Sequence, residues 1–194
     1  MRAFLAIPLP AEGAAALRSL QESLRTLSAL EEFRWVAPRN IHLTLRFLGE
    51  IDEARARSAG EALGAAASRG SAFELSFERF GVFPHLRSPN VLWTGPSETP
   101  QALRALVEAL FEELERAGFP REERPFRAHL TLARRRGRRR PPPGLEGELV
   151  AAEQRWLVPP PSFRVEEAVL FQSELRPGGA IYTPIRRHPL GEAI

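Results

Sequence analysis

His42-Leu43-Thr44-Leu45 is repeated in full further along the chain, as His129-Leu130-Thr131-Leu132. Each copy lies where apolar and polar residues alternate, which predicts β-strands over Ile41–Leu48 and Phe126–Leu132. Side chains alternate between the two faces of a strand, so we expect the leucines in the core and each His and Thr on the opposite face. The sequence therefore predicts two strands that each present an imidazole and a hydroxyl from one surface.

The segments around these two strands predict a mixture of helices and strands. Leucines at helical spacing predict helices over Glu12–Ser28 and Thr99–Ala117, the second capped by Thr99, and an Ala-rich segment predicts another over Asp52–Ser68. Alternation predicts further strands at Arg2–Ile7, Phe33–Val36, Phe73–Phe80, Val91–Thr94, Phe163–Gln172 and Ala180–Arg186. Several strand pairs are close in sequence, which favours an α+β fold with antiparallel sheets.

The order of elements around the two tetrapeptides is similar. Each tetrapeptide strand follows a leucine-striped helix and a proline-containing turn. This repetition indicates two related lobes within a single bilobal domain over residues 1–194. If a pseudo-two-fold axis relates the lobes, the two His–Thr pairs face each other across a central cleft, with the helices on the outside.

Composition excludes several classes of protein and site. The chain of 194 residues has no cysteine, which rules out a disulfide framework, a thiol nucleophile and a cysteine-based metal site. No apolar stretch approaches the roughly 20 residues of a membrane-spanning helix. The apolar run at the N-terminus is too short for a signal peptide, so a cytoplasmic protein is expected.

Positive charge is concentrated in one part of the chain. All 27 basic residues are arginines, and nine of them fall within residues 121–140, beside only two glutamates. A local arginine cluster of this kind indicates an anionic partner such as a phosphate group or RNA.

The paired histidines suit acid–base chemistry at a phosphodiester. An unperturbed imidazole titrates near ~6.5, so one His can accept a proton while the other donates one. The Thr hydroxyls can donate hydrogen bonds to charged oxygens, and Arg134 can clamp the same phosphate. A metal site is the alternative, but a catalytic zinc commonly takes three protein ligands and neither tetrapeptide contains an acidic residue. We therefore expect neither metal nor cofactor.

These residues resemble the 2H phosphoesterase superfamily, which is defined by two His-x-Thr-x motifs. Within it, the chain is most similar to the RNA 2′,3′-cyclic phosphodiesterases, also called 2′-5′ RNA ligases. The resemblance covers almost the whole chain. It rests on the segments Arg2–Ile7, Asn40–Glu50, His129–Arg134, Ser173–Leu175 and Gly179–Thr183.

The resemblance implies a bilobal fold in which two antiparallel sheets line a V-shaped cleft. It also implies metal-independent hydrolysis of RNA 2′,3′-cyclic phosphate ends to 2′-phosphomonoesters, with tRNA fragments among the substrates. By this resemblance, His42 is the proton donor to the leaving oxygen and His129 the proton acceptor from water. Thr44, Thr131 and Arg134 would bind the phosphate. Some relatives also make or split 2′-5′ RNA linkages.

Further arginines are candidate contacts to the RNA backbone. They are Arg46, which shares the predicted face of His42, and Arg135, Arg136, Arg138, Arg139 and Arg140. Such contacts would make RNA binding salt-dependent. The alternative for the arginines of residues 134–140 is a solvated loop without contact to RNA. Phe47 alternates with Arg46 and is expected to pack in the core rather than stack on a base.

Two other functions are compatible with these residues. One is a cyclic phosphodiesterase acting on small nucleotides or nucleotide-sugar cyclic phosphates, and the other is a non-catalytic module that binds RNA ends. The Arg-rich run favours longer RNA over the small substrates. Two intact motifs argue against the binding module. A monomer is expected.

Overall fold

The computed structural model describes residues 1–135, 141–177 and 179–191. Over these ranges the chain forms four α-helices: α1 (Ala11–Leu24), α2 (Glu53–Arg69), α3 (Gln101–Arg116) and α4 (Leu145–Trp156). It also forms ten strands: β1 (Arg2–Pro8), β2 (Phe33–Trp35), β3 (His42–Glu50), β4 (Phe73–Ser76), β5 (Arg79–Phe83), β6 (Val91–Gly95), β7 (Leu130–Arg135), β8 (Ser162–Val165), β9 (Glu167–Arg176) and β10 (Gly179–Pro189). The predicted α+β class is confirmed.

The strands form antiparallel sheets, as expected. The large sheet has the order β10-β9-β1-β3-β7-β6-β5, with β2 added beside β7, and a small second sheet pairs β4 with β8. The half that carries the first tetrapeptide and the half that carries the second meet between β3 and β7. In the described chain, one register pair, Leu43 with Leu130, joins these two strands. The two motif strands are therefore neighbours at one point.

The helices cover the core and leave the strands to form the site. The buried face of α3 consists of Leu103, Leu106, Val107, Leu110 and Leu114, as its leucine spacing predicts. Helix α2 packs against α3 and against β9 and β10. The side chain of Asp52 accepts a hydrogen bond from the Arg55 amide and caps the N-terminus of α2.

Several predicted element bounds are wrong. Phe73–Phe80 is two strands in different sheets, because β4 ends at Ser76 beside β8, whereas β5 pairs with β6 of the large sheet. Thr99 does not cap α3; Pro100 precedes the helix without a side-chain cap. The predicted strand over Phe126–Leu132 begins only at Leu130.

Other bounds differ because tertiary contacts decide them. Helix α1 ends at Leu24, before a 3-10 turn over Ser28–Leu30 that is hydrogen-bonded to Glu148 of α4. Helix α4 was not predicted, since its apolar stripe is weak. Phe163–Gln172 is divided between β8 and β9. Within the described ranges, no helix is both long and apolar enough to cross a membrane.

Candidate active site

The register between β3 and β7 brings the two tetrapeptides together. Leu43 lies opposite Leu130, and the strands run antiparallel. His42 is therefore on the Thr131 side of that pair, and Thr44 is on the His129 side. All four side chains line one cavity of about 740 Å³, together with Arg134. The structure thus assembles the five residues that the sequence singled out for proton transfer and phosphate binding.

Both histidines make the same hydrogen bond to the backbone. Nδ1 of His42 lies 2.9 Å from the carbonyl oxygen of Asn40, and Nδ1 of His129 lies 2.7 Å from that of Arg127. A carbonyl oxygen only accepts, so each Nδ1 carries the proton and donates it. In the neutral ring, Nε2 is then the atom with a free lone pair. Each motif leaves Nε2 available for proton transfer.

Burial keeps both rings neutral in the unliganded protein. Burial lowers the pKa of His42 from the ordinary 6.5 to about 4. The hydrogen bond to Asn40 opposes this effect, whereas the charge of Arg134, and that of His129 when it is protonated, add to it. The pKa of His129 is also lowered, first by burial, against the bond to Arg127 and with a further contribution from Arg134. An anion bound beside Arg134 would raise both pKa values.

Aromatic rings flank each imidazole. Tyr182 meets the His42 ring edge-on, with the ring centres 5.1 Å apart, and Phe4 lies against the same ring at 4.7 Å. Phe83 meets the His129 ring edge-on at 4.9 Å, and Trp93 stacks on Phe83 at 5.3 Å. These contacts account for the burial of the imidazoles and restrict their orientation.

The cavity is positively charged. Three arginines line it, Arg2, Arg124 and Arg134, and its described lining contains no acidic residue. Among the residues that the structure describes, neither Arg2 nor Arg124 takes part in an ion pair. The same residues contain no group of three or more His, Cys, Asp or Glu side chains placed to hold a metal ion. This lining favours an anionic ligand.

Phe47 lies in the cavity, which contradicts the prediction that it packs in the core. Its side chain is 64% exposed and belongs to the cavity lining. The cause is a β-bulge: Ala6 of β1 pairs with Thr44, but the next residue, Leu5, pairs with Arg46. The extra residue, Leu45, changes the alternation of β3. Phe47 therefore joins the face of His42 and Thr44.

The same bulge turns Arg46 away from His42. Arg46 pairs with Glu122, donates to the carbonyl of Pro120 and lies over the ring of Phe111. It does not belong to the cavity lining. Arg135 is buried and paired with Glu32. These ion pairs offer both arginines a structural role; their contact with RNA stays a prediction. Arg136, Arg138, Arg139 and Arg140 lie outside the described residues.

Among the cavity residues that the sequence did not identify as part of a site are the polar residues Arg2, Asn40, Arg124 and Tyr182. Asn40 and Tyr182 lie within the segments that carry the family resemblance, which was the signal available for them. Arg124 was counted among the nine arginines of residues 121–140, but no binding role was predicted for it. Arg2 likewise lies within a segment that carries the resemblance, Arg2–Ile7.

Comparison with known proteins agrees with this geometry. The family model described as LigT like phosphoesterase matches the chain twice, over residues 7–93 and 94–182, and each range contains one tetrapeptide. A protein of Methanothermobacter thermautotrophicus named RNA 2′,3′-cyclic phosphodiesterase is 35% identical, over 94% of this chain and 95% of its own. A protein of Escherichia coli K12 with the same name is 33% identical, over 97% and 96%.

Solved structures show the same fold. The crystal structure of E. coli LigT complexed with 3′-AMP superposes with a TM-score of 0.73 at 31% identity, over 97% of each chain. A crystal structure of a Thermus thermophilus protein superposes with a TM-score of 0.75 at 30% identity, over 100% of each chain.

Proposed function

Because the chain belongs to the LigT-like phosphoesterase family, we propose that it hydrolyses RNA 2′,3′-cyclic phosphate ends to 2′-phosphomonoesters. The observation that carries this proposal is the pair of neutral histidines, each with Nε2 free, in one cavity that also contains Arg134 and whose described lining has no acidic residue. The names of the relatives at about a third identity over most of the chain support the same activity.

The proposed reaction divides the proton transfers between the two rings. His129 accepts a proton from water through Nε2 as the water oxygen bonds to phosphorus. The bond from phosphorus to O3′ breaks, and Nε2 of protonated His42 donates a proton to the departing O3′. The products are a 2′-phosphate and a 3′-hydroxyl. Attack and departure on opposite sides of phosphorus require two separate proton carriers, which the two strands supply.

Binding of the substrate prepares His42 for this role. In the unliganded protein the pKa of His42 is about 4, so the ring is neutral near neutral pH. The cyclic phosphate is an anion, and its charge counteracts the field of Arg134. This raises the pKa of both imidazoles, and His42 takes up the proton that it later donates. The acid therefore forms in the complex rather than in the free protein.

Thr44, Thr131 and Arg134 are the proposed phosphate ligands. The two hydroxyls lie in the cavity beside the histidine of the opposite motif, and Arg134 follows Thr131 along β7. Donors fixed in place before the substrate arrives stabilise the charge that develops on the non-bridging oxygens.

Phe47, Arg2 and Arg124 favour an RNA chain as the substrate. An exposed phenyl ring beside a phosphate site can stack on any nucleobase. Arg134 suffices for one cyclic phosphate, which leaves Arg2 and Arg124 for phosphates further along the strand. A mononucleotide would leave these two cations unused.

The other sequence-based expectations are retained as part of the proposal. The reaction proceeds without metal, since the described lining offers two imidazoles and no carboxylate, fewer ligands than a catalytic zinc commonly has. Residues 1–194 act as one bilobal domain. Reversible 2′-5′ joining, tRNA fragments as substrates, a monomeric state and a cytoplasmic location stay predictions.

End-group analysis of an oligonucleotide with a 2′,3′-cyclic phosphate tests the proposal. We expect a 2′-phosphate product, a rate unchanged by EDTA, and rates lower by about 10²- to 10⁴-fold in His42→Ala and His129→Ala. Circular dichroism and thermal melting show that the variants fold. Normal turnover by either variant would refute the assigned chemistry, and a 3′-phosphate product would refute the assigned leaving group. Salt-dependent binding without turnover would instead support the RNA-binding module.

A further inference from the structure

We propose that Asn40 is a positioning residue for His42, and that it acts by fastening the β9–β10 hairpin to the first motif. This inference rests on the proposed function for its catalytic consequence. Asn40 ends the 3-10 turn that leads into β3. Its backbone carbonyl and its side-chain amide bond to different partners.

The backbone of Asn40 holds the imidazole. Its carbonyl oxygen accepts the bond from Nδ1 of His42 at 2.9 Å. Nδ1 keeps its proton whether the ring is neutral or charged, so this bond persists while Nε2 gains and loses a proton. The direction of Nε2 is therefore set by the position of the Asn40 carbonyl.

The side chain of Asn40 holds that backbone in place. Its amide Nδ2 donates to the carbonyl oxygen of Ala180 at 2.8 Å, a partner 140 residues away in sequence. Ala180 lies near the start of β10, two residues before Tyr182 on the same strand. Tyr182 meets the His42 ring edge-on at 5.1 Å with an interplanar angle of 89°. One amide thus fixes both the carbonyl and the aromatic ring that confine His42.

Within the described chain, the second motif has no equivalent of the hydrogen bond from Asn40 to Ala180. Arg127 occupies the place equivalent to Asn40, two residues before His129, and its carbonyl accepts the matching bond. In the part of the chain that the structure describes, the Arg127 side chain is exposed and makes no hydrogen bond. The side-chain hydrogen bond that supports the carbonyl is therefore specific to His42, the histidine assigned as proton donor.

Asn40→Ala tests this inference, with Asn90→Ala as the matched control. Asn90 is the other asparagine of the chain, and within the described residues its side chain makes no hydrogen bond. With adenosine 2′,3′-cyclic phosphate, Asn40→Ala should lower kcat by about 10- to 100-fold and leave KM within about twofold, since misplacing a reacting group by about 1 Å costs that much. Asn90→Ala should match the unmodified protein in both constants.

Nitrogen-15 NMR of the imidazoles gives a readout that loss of stability alone would not move. We expect His42 to change from one tautomer, protonated at Nδ1, to a mixture in Asn40→Ala, while His129 stays unchanged. An unaltered His42 tautomer, or equal effects on both histidines, would overturn the inference. If the unmodified protein turns over no cyclic phosphate, the proposed function fails, yet the NMR comparison still decides whether Asn40 positions His42.

Discussion

Leu43 and Leu130 are register partners across β3 and β7, and each directly follows a histidine of the site. Both leucines are fully buried. The pair fixes the register in which two distant parts of the chain meet. The same contact that packs in the core therefore also determines which histidine lies beside which threonine. Packing and chemistry are thereby specified by one residue pair.

The pH dependence of catalysis follows from the lowered pKa values of the two histidines. The proposed reaction requires a neutral His129 and a protonated His42, and in the free protein both pKa values lie below the ordinary 6.5. We expect a bell-shaped profile of kcat/KM with both limbs below pH 6.5, because kcat/KM reports the free enzyme. Arg134→Gln removes a nearby positive charge and should move both limbs upward while KM rises. Limbs that stay in place in this variant would contradict a contribution of Arg134 to these pKa values.

Folding stability should depend on pH through His42. Its pKa is about 4 in the folded protein and near 6.5 when unfolded, so the unfolded chain binds more protons between these values. Stability from this group is complete above pH 6.5 and is lost as the pH falls towards 4, by at most roughly 3 kcal/mol. Urea unfolding of His42→Asn should show a flatter pH dependence over this window. Parallel curves for the two proteins would count against a buried neutral imidazole.

Gly81→Ala should impair His129 through the rings of Trp93 and Phe83. A Cβ at Gly81 would lie 2.1 Å from Cζ2 of Trp93, and Trp93 stacks on Phe83, which meets His129 edge-on. We expect destabilisation by about 1–3 kcal/mol and a kcat lower by about tenfold or more. Gly147→Ala in α4, with nothing within 4 Å, is the control and should be neutral or stabilising. Full activity of Gly81→Ala would show that the aromatic stack does not position the base.

Gln21 lies on the buried face of α1, and Gln21→Leu should destabilise the protein. Gln21 is 3% exposed, and its Nε2 donates to the carbonyls of Val36 and Leu132 at 2.9 and 3.0 Å. The substitution fills the space but removes the donor, which costs about 1–3 kcal/mol. Denaturant unfolding measures the loss, and Gln101→Leu at the exposed start of α3 is the control. Equal stabilities would mean that the two carbonyls do not need this donor.

Arg2→Ala and Arg124→Ala should discriminate long substrates from short ones. Each should raise KM for a cyclic-phosphate oligonucleotide and reduce the slope of log affinity against log salt by roughly one. Neither should affect adenosine 2′,3′-cyclic phosphate. Arg18→Ala, an exposed arginine of α1 outside the cavity, is the control. Equal losses on both substrates would place these cations at the terminal nucleotide instead.

The tetrapeptide strands and their site could be predicted because the relevant signals are local. Alternation around His42 and Thr44 depends on two faces of one strand, and the same holds for Thr131. Arg134 could be placed because it follows the motif directly. The leucine spacing of α3 likewise reports a single buried face.

Other features depend on partners far away in sequence and could not be predicted from the local sequence pattern. The bulge at Leu45 exists only in the register of β3 against β1, so simple alternation exchanged the positions of Arg46 and Phe47. The ion pair of Arg46 with Glu122, and the bond of Asn40 to Ala180, each join segments far apart in sequence. Tertiary contacts of this kind override local pattern.

The extra residue in β3 determines which side chain the strand presents to a ligand. If β3 kept all its residues but paired in regular alternation, Arg46 would lie on the face of Thr44 and Phe47 would turn away from it. A strand of equal length without the bulge would thus offer an additional anchor for phosphates in place of a platform for bases. Ligand choice in such proteins can therefore evolve through the pairing of one strand, with both histidines untouched.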